Sequence, residues 1–93
     1  MAKDKELIQD LQDNVLRFIA LHQQGARIQE IFRLLVDMQK KGYIDIFLDT
    51  LLYHYEREHN YDMITQLIET RRRLSYNISA ENVLFSFALH DAA

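Results

Sequence analysis

His54 and Glu58 stand four residues apart with His59 just beyond, a spacing that puts an imidazole and a carboxylate on one face of a helix. Such a pair is half of a metal site or of an acid-base couple. Zinc asks for three or four converging ligands, and no second histidine follows at the four-residue interval that would supply one. Cysteine is absent, which removes thiolate ligands, thiol nucleophiles and disulfides together. His22, His54 and His90 are therefore read as border residues, each laying an apolar ring on the core and turning a polar edge outward. Carboxylates are scattered along solvated stripes, no serine, histidine and aspartate form a nucleophile arrangement, and the two glycines make no phosphate loop. The expectation is a protein with no catalytic residues, no metal and no cofactor, and not an enzyme.

Two other groups can bind rather than react. Arg71, Arg72 and Arg73 are consecutive, and Lys40 and Lys41 occupy the corresponding end of an earlier segment. Lined along one edge, these cations can hold phosphates or an acidic peptide. Equally, cations at helix C-termini complement the helix dipole and need no ligand. Tyr43, Tyr53, Tyr55, Tyr61 and Tyr76 gather around the middle of the chain and its turns. Tyrosines in a groove anchor a bound peptide or stack on a base; the plainer alternative is a wedge between helices with the hydroxyl at the rim.

Helices must carry these residues. Proline is absent and glycine occurs twice in 93 residues, 48% of them hydrophobic, which suits one helical domain with one core. Apolar residues recur at helical spacing from Asp4 to about Gln23 (Ile8, Leu11, Val15, Phe18, Ile19). A second stripe of Ile28, Ile31, Phe32, Leu35 and Met38 stops at Lys40, Lys41 and Gly42, a cationic last turn followed by a residue suited to left-handed backbone. Asp45 is placed as the cap of a third segment, with Phe47, Leu48, Leu51, Leu52 and Tyr55, which His59 and Asn60 break. Asn60 then caps a fourth, with Tyr61, Ile64, Leu67, Ile68 and Leu74. Ser75 to Ile78 form a turn, and Ser79 caps a fifth helix. A net charge of -3 and a pI near 5.7 give no global attraction to nucleic acid or anionic lipid. No run approaches the ~18 apolar residues of a membrane span, and the opening "MAKDKELIQDL" has no apolar leader core. No membrane association and a cytoplasmic location are expected.

Shifting the chain against itself by thirty-three residues pairs Phe18 with Leu51 and Leu84, Ile19 with Leu52 and Phe85, Ile31 with Ile64, Leu34 with Leu67, and Tyr43 with Tyr76. A period of this length suits stacked helical hairpins, each covering its neighbour's apolar face. It is also close to nine helical turns, so phase alone accounts for part of the agreement. The stretch "YHYEREHNYDMITQLIETRRRL" resembles a tetratricopeptide repeat unit, with Tyr55 at the tyrosine of its first helix and Tyr61 and Asp62 opening its second. "IQEIFRLLVDMQKKGYID" resembles the second helix and tail of a pentatricopeptide repeat, through Ile31, Leu34, Leu35, Met38 and Gly42. Leu52 and Ile64 stand where the former pattern takes small residues, and no closing proline exists. The resemblance implies stacked hairpins that bind a peptide, or RNA. Of the two base-reading positions in the RNA-binding family, Thr50 matches one, while Asp45 falls out of register for the other.

In the fifth segment Val83, Leu84, Phe85, Phe87, Ala88 and Leu89 leave only Ser86 polar between them, so apolar surface runs nearly all round the helix. Read as the first helix of a third unit, it lacks the helix that would cover it. The expected fold is all-α: five helices as two stacked hairpins plus a C-terminal helix, either a short α-solenoid or a compact bundle. In the solenoid form Val83, Leu84, Phe85, Phe87 and Leu89 make a homodimer interface or meet another protein; in the bundle form they are covered from within. The expected function is that of a small regulator or adaptor that binds a protein partner in a helical groove. Binding of RNA, more than DNA, along Lys40, Lys41, Arg71, Arg72 and Arg73 is the alternative.

Overall fold

The computed structural model describes residues 2–25, 27–76 and 79–92, and side chains within the span 5–89 of these. Five helices follow one another: α1 (Ala2–Gln24), α2 (Ile28–Lys40), α3 (Ile44–Arg57), α4 (Tyr61–Leu74) and α5 (Ala80–Ala92). Among the described residues there is no strand, and no helix is long and apolar enough to cross a membrane. The all-α class and the five helices expected from periodicity are what form. Ala26, Asn77 and Ile78 of the expected turns, and the side chain of His90, lie outside the described residues.

The corners are made by the helix ends. At the end of α2 the Tyr43 amide donates back to the Met38 carbonyl at 2.9 Å, and Gly42 takes the left-handed conformation this closure needs, at φ 80°. The chain re-enters helix at once, the Phe47 amide donating to the Tyr43 carbonyl at 2.8 Å. Tyr43 therefore precedes α3, and Asp45 is not its cap: it lies in the first turn, where its charge still suits the helix dipole. The α3–α4 corner repeats the design, with Asn60 donating its amide to the Tyr55 carbonyl at 3.0 Å and His59 held at φ 57°. Asn60 then caps α4 as expected, its side-chain oxygen accepting from the Met63 amide at 3.3 Å. His59 thus occupies a position that glycine fills without steric penalty. Substituting His59→Gly is expected to raise stability by about 0.5–1 kcal/mol in urea titration, after allowing for glycine's extra freedom in the unfolded chain. An unchanged or lower midpoint would mean the histidine ring contributes more than its backbone costs.

The core is continuous through all five helices. Val15 and Phe18 of α1, Ile31, Leu34, Leu35 and Met38 of α2, Phe47, Leu48, Leu51 and Tyr55 of α3, Met63 and Leu67 of α4, and Leu84, Phe87 and Ala88 of α5 form one buried cluster. Phe18 sits at its centre, meeting Phe47 edge-on and stacking on Phe87, each with ring centroids 5.9 Å apart. Helix α5 packs chiefly on α2 and also on α4, while α3 packs on α4. It closes the bundle instead of extending a stack. Of the two expected arrangements, the compact bundle is the one that forms. This corrects the reading of α5 as an uncovered helix: Val83, Leu84 and Phe87 are buried within their own chain, because neighbours lie on two sides of α5. Phe85 and Leu89 remain partly open, with Phe85 edge-on to Phe32 at 5.3 Å.

One helix is out of proportion. The 23 residues of α1 span about 35 Å, against about 20 Å for helices of 13 or 14 residues. The Lys41 Nζ lies 3.3 Å from Asp10, so the end of α2 falls alongside Asp10 and the turns before it run on past α2.

Candidate functional site: a groove between α1 and α3

With short corners on either side of α2, helices α1 and α3 run parallel, and their facing sides leave a furrow along the bundle. Its floor is core: Val15 is buried, and Phe18 and Phe47 meet beneath. At one end it is lined by Leu7, Ile8, Leu11, Tyr43 and Ile46. Two turns on, the lining is Val15, Leu16, Ile19, Thr50, Tyr53, His54, Arg57 and Glu58. Ile8, Leu16, Ile46 and Tyr53 are each more than half exposed along this line, a concentration of apolar side chains in water that marks interaction surfaces. The far end is polar. The Arg57 guanidinium lies over the Tyr53 ring, 5.8 Å from its centroid, and the His54 Nε2 faces the Glu58 carboxylate at 3.2 Å.

The tyrosines expected to meet a partner divide sharply. Tyr43 and Tyr53 line the groove at its two ends. Tyr61 is exposed at the start of α4 beside His59 and is not part of the lining. Tyr55 is a correction: it is in the core, its ring held edge-on by His22 at 6.0 Å and His54 at 5.1 Å, so no partner reaches it. It points inward because it lies on the same face of α3 as Leu51 and Leu48, one and two turns before it.

The basic edge also differs in character from its composition. Helices α3 and α4 are antiparallel, so Asp45 lies beside Arg71, Arg72 and Ser75 in a shallow pocket. Arg71 pairs with Asp49, Arg72 and Arg73 share Glu69 at 2.9 and 3.3 Å, and Lys41 bridges Asp10 and Asp37 at 3.3 and 3.2 Å. The hydrogen bonds that Lys41 donates to Asp37 and then to Asp10 raise its pKa above the ordinary value. The hydrogen bond from Arg72 holds the Glu69 carboxyl below the usual range and raises Arg72. Glu69 therefore supports the folded state above the ordinary carboxylate range, and this support fades as acid protonates it. Lys40 lies apart, on the outer face of α2 with Phe32, Val36 and Asp37. Four of the five cations are thus already engaged by carboxylates of their own chain.

Among the described residues no three of histidine, aspartate and glutamate converge as metal ligands would. The groove residues that the stripes did not single out are Leu7, Leu16, Ile46 and Arg57. The signal was present: Leu16 and Ile46 are large apolar residues that fall off the core-facing stripes of their helices, Leu7 continues the α1 stripe one turn before Leu11, and they come together in space. Compared with family models, curated proteins and solved structures, the chain has no match. A functional reading therefore rests on the groove's own chemistry.

Proposed function

We propose that the protein is a non-enzymatic interaction module, a small regulator or adaptor that seats a helical segment of a protein partner between α1 and α3. The observation that carries this is the row of Ile8, Leu16, Ile46 and Tyr53, open to water above a closed core. A groove between two parallel helices with an apolar floor and a polar end suits an amphipathic helix, whose anchors at i, i+3 or i+4, and i+7 match the turns of its hosts. The basic edge supports the nucleic-acid alternative less well, because a phosphate must displace carboxylates that Arg71, Arg72, Arg73 and Lys41 already hold. Self-association through α5 is left to Phe85 and Leu89, too small a surface to hold a dimer without further contacts.

Photocrosslinking tests the groove. A photoreactive amino acid at Leu16 or Tyr53 is expected to form a discrete protein adduct in host cells. The same group at Ile68, an apolar position on α4 that is also more than half exposed but lies outside the groove, is expected to form none. Adducts at Ile68 as strong as those at Leu16, or none at either groove position, would remove the proposal.

A further inference from the structure

The sequence around Ser75, at the end of α4, reads Arg71, Arg72, Arg73, Leu74, Ser75, Tyr76. Of the three serines and three threonines in the chain, Ser75 alone has cations two and three residues before it. A guanidinium offers a planar fork of donors matched to a carboxylate, and two such forks at this spacing are what the acidic substrate cleft of an arginine-directed serine kinase holds. The aromatic Tyr76 follows directly, where such a cleft takes a large apolar side chain.

The whole stretch is at the surface. Ser75 is exposed, and Arg72, Arg73 and Tyr76 are each more than half exposed. A kinase cleft takes its substrate extended, so the last turn of α4 has to open before the hydroxyl can react. The buried residues of α4 are Met63, Leu67 and Thr70, and beyond Thr70 only Leu74 is partly covered. The turn is therefore held by its own backbone bonds, by surface ion pairs and by the Ser75 hydroxyl, which donates to the Arg72 carbonyl at 2.6 Å. A segment with so little buried surface opens locally while the rest of the fold stays closed.

We infer that Ser75 is a phosphoacceptor for an arginine-directed serine kinase, and that the phosphate loosens the end of α4. In the transfer the Ser75 oxygen attacks the terminal phosphorus of ATP. The new oxygen–phosphorus bond forms as the bond to the bridging oxygen breaks, ADP leaves, and the hydroxyl proton passes to the kinase's catalytic base. The product has lost the proton that met the Arg72 carbonyl, and it carries a charge of about −1.5 to −2 at neutral pH. That charge sits at the negative end of the α4 dipole and in the same shallow pocket as Asp45, both of which repel it. Arg71 and Arg72 line the pocket too and attract it, but Asp49 and Glu69 already engage them, so each new pair is made by giving up an old one. The Arg71–Asp49 pair ties α4 to α3, and its exchange weakens that tie.

Incubation of the folded chain with magnesium ATP and a purified arginine-directed serine kinase, read by mass spectrometry, tests the assignment. One phosphate is expected, on Ser75, and Ser75→Ala should abolish it. Arg72→Gln and Arg73→Gln should each slow the transfer about tenfold or more. Arg71→Gln, which gives up the Asp49 pair but keeps both recognition positions, should not slow it, and neither should Ser79→Ala. Circular dichroism of each variant shows that it is folded. The chain isolated from its host cells with phosphatases inhibited is expected to carry the same modification. The phosphorylated chain should melt about 4–8 °C below the unmodified one. No phosphate on the folded chain, phosphate that persists in Ser75→Ala, a rate indifferent to both Arg72 and Arg73, or complete absence of the modification in host cells would overturn the assignment. An unchanged or higher melting temperature would overturn the loosening.

Discussion

Replacing Phe87 by alanine is expected to cost about 3–5 kcal/mol, the range for removing a large buried aromatic ring. For a domain of this size that lowers the melting temperature by at least about 12 °C. Phe87 is 2% exposed and stacks on Phe18 at the meeting point of α1, α3 and α5, so the missing ring leaves a cavity bordered by three helices. Phe85, two residues earlier, is 46% exposed and touches Phe32 edge-on. Its alanine variant is expected to lose only about 1–2 kcal/mol, chiefly the aromatic pair and part of its burial. The comparison, by urea titration of both variants, is a direct test of whether α5 closes the bundle. Equal losses at the two positions, or a milder one at Phe87, would place α5 outside the core.

A second contrast lies on α3. Tyr55→Ala should destabilise by about 3–5 kcal/mol, since it removes the ring on which His22 and His54 both pack. Tyr53→Ala should change stability by no more than about 0.5 kcal/mol, yet weaken a groove-bound helix by about 2 kcal/mol, some thirtyfold. Tyr53 is 62% exposed and supports Arg57, whereas Tyr55 is 2% exposed and supports the fold. Thermal melts together with peptide titrations separate the two roles. A Tyr53 variant that melts early, or binds as wild type, would contradict this division.

Much of the architecture was legible from local signals. Helical spacing located all five helices, the Lys40, Lys41, Gly42 run located the end of α2, and Asn60 was recognisable as a cap because its short amide reaches a first-turn N–H. The opening of α3 was not, because the bond that ends α2 leaves Tyr43 directly at the next helix, and a two-helix corner is invisible to a pattern read along one helix. Phe18, Leu51 and Leu84, which the thirty-three-residue shift superposes, are all fully buried. Apolar surface around the whole of α5 was legible too, but its meaning was not. Periodicity counts how much surface must leave water without saying whether neighbours in the chain or a partner will cover it. The groove was half readable: Tyr43 and Tyr53 were flagged by type, whereas Leu16, Ile46 and Arg57 acquire significance only from helices brought side by side by the turns.

Because α5 seats itself on α2, some fifty residues upstream, the order of synthesis matters. A nascent chain that has emerged only as far as α4 presents Phe18 without its stacking partner, together with the flank of α2 that α5 will cover. It cannot complete its interior in instalments from the N-terminus. Folding must wait for the fifth helix, and until then the growing polypeptide offers a sticky surface that ribosome-bound chaperones are suited to shield.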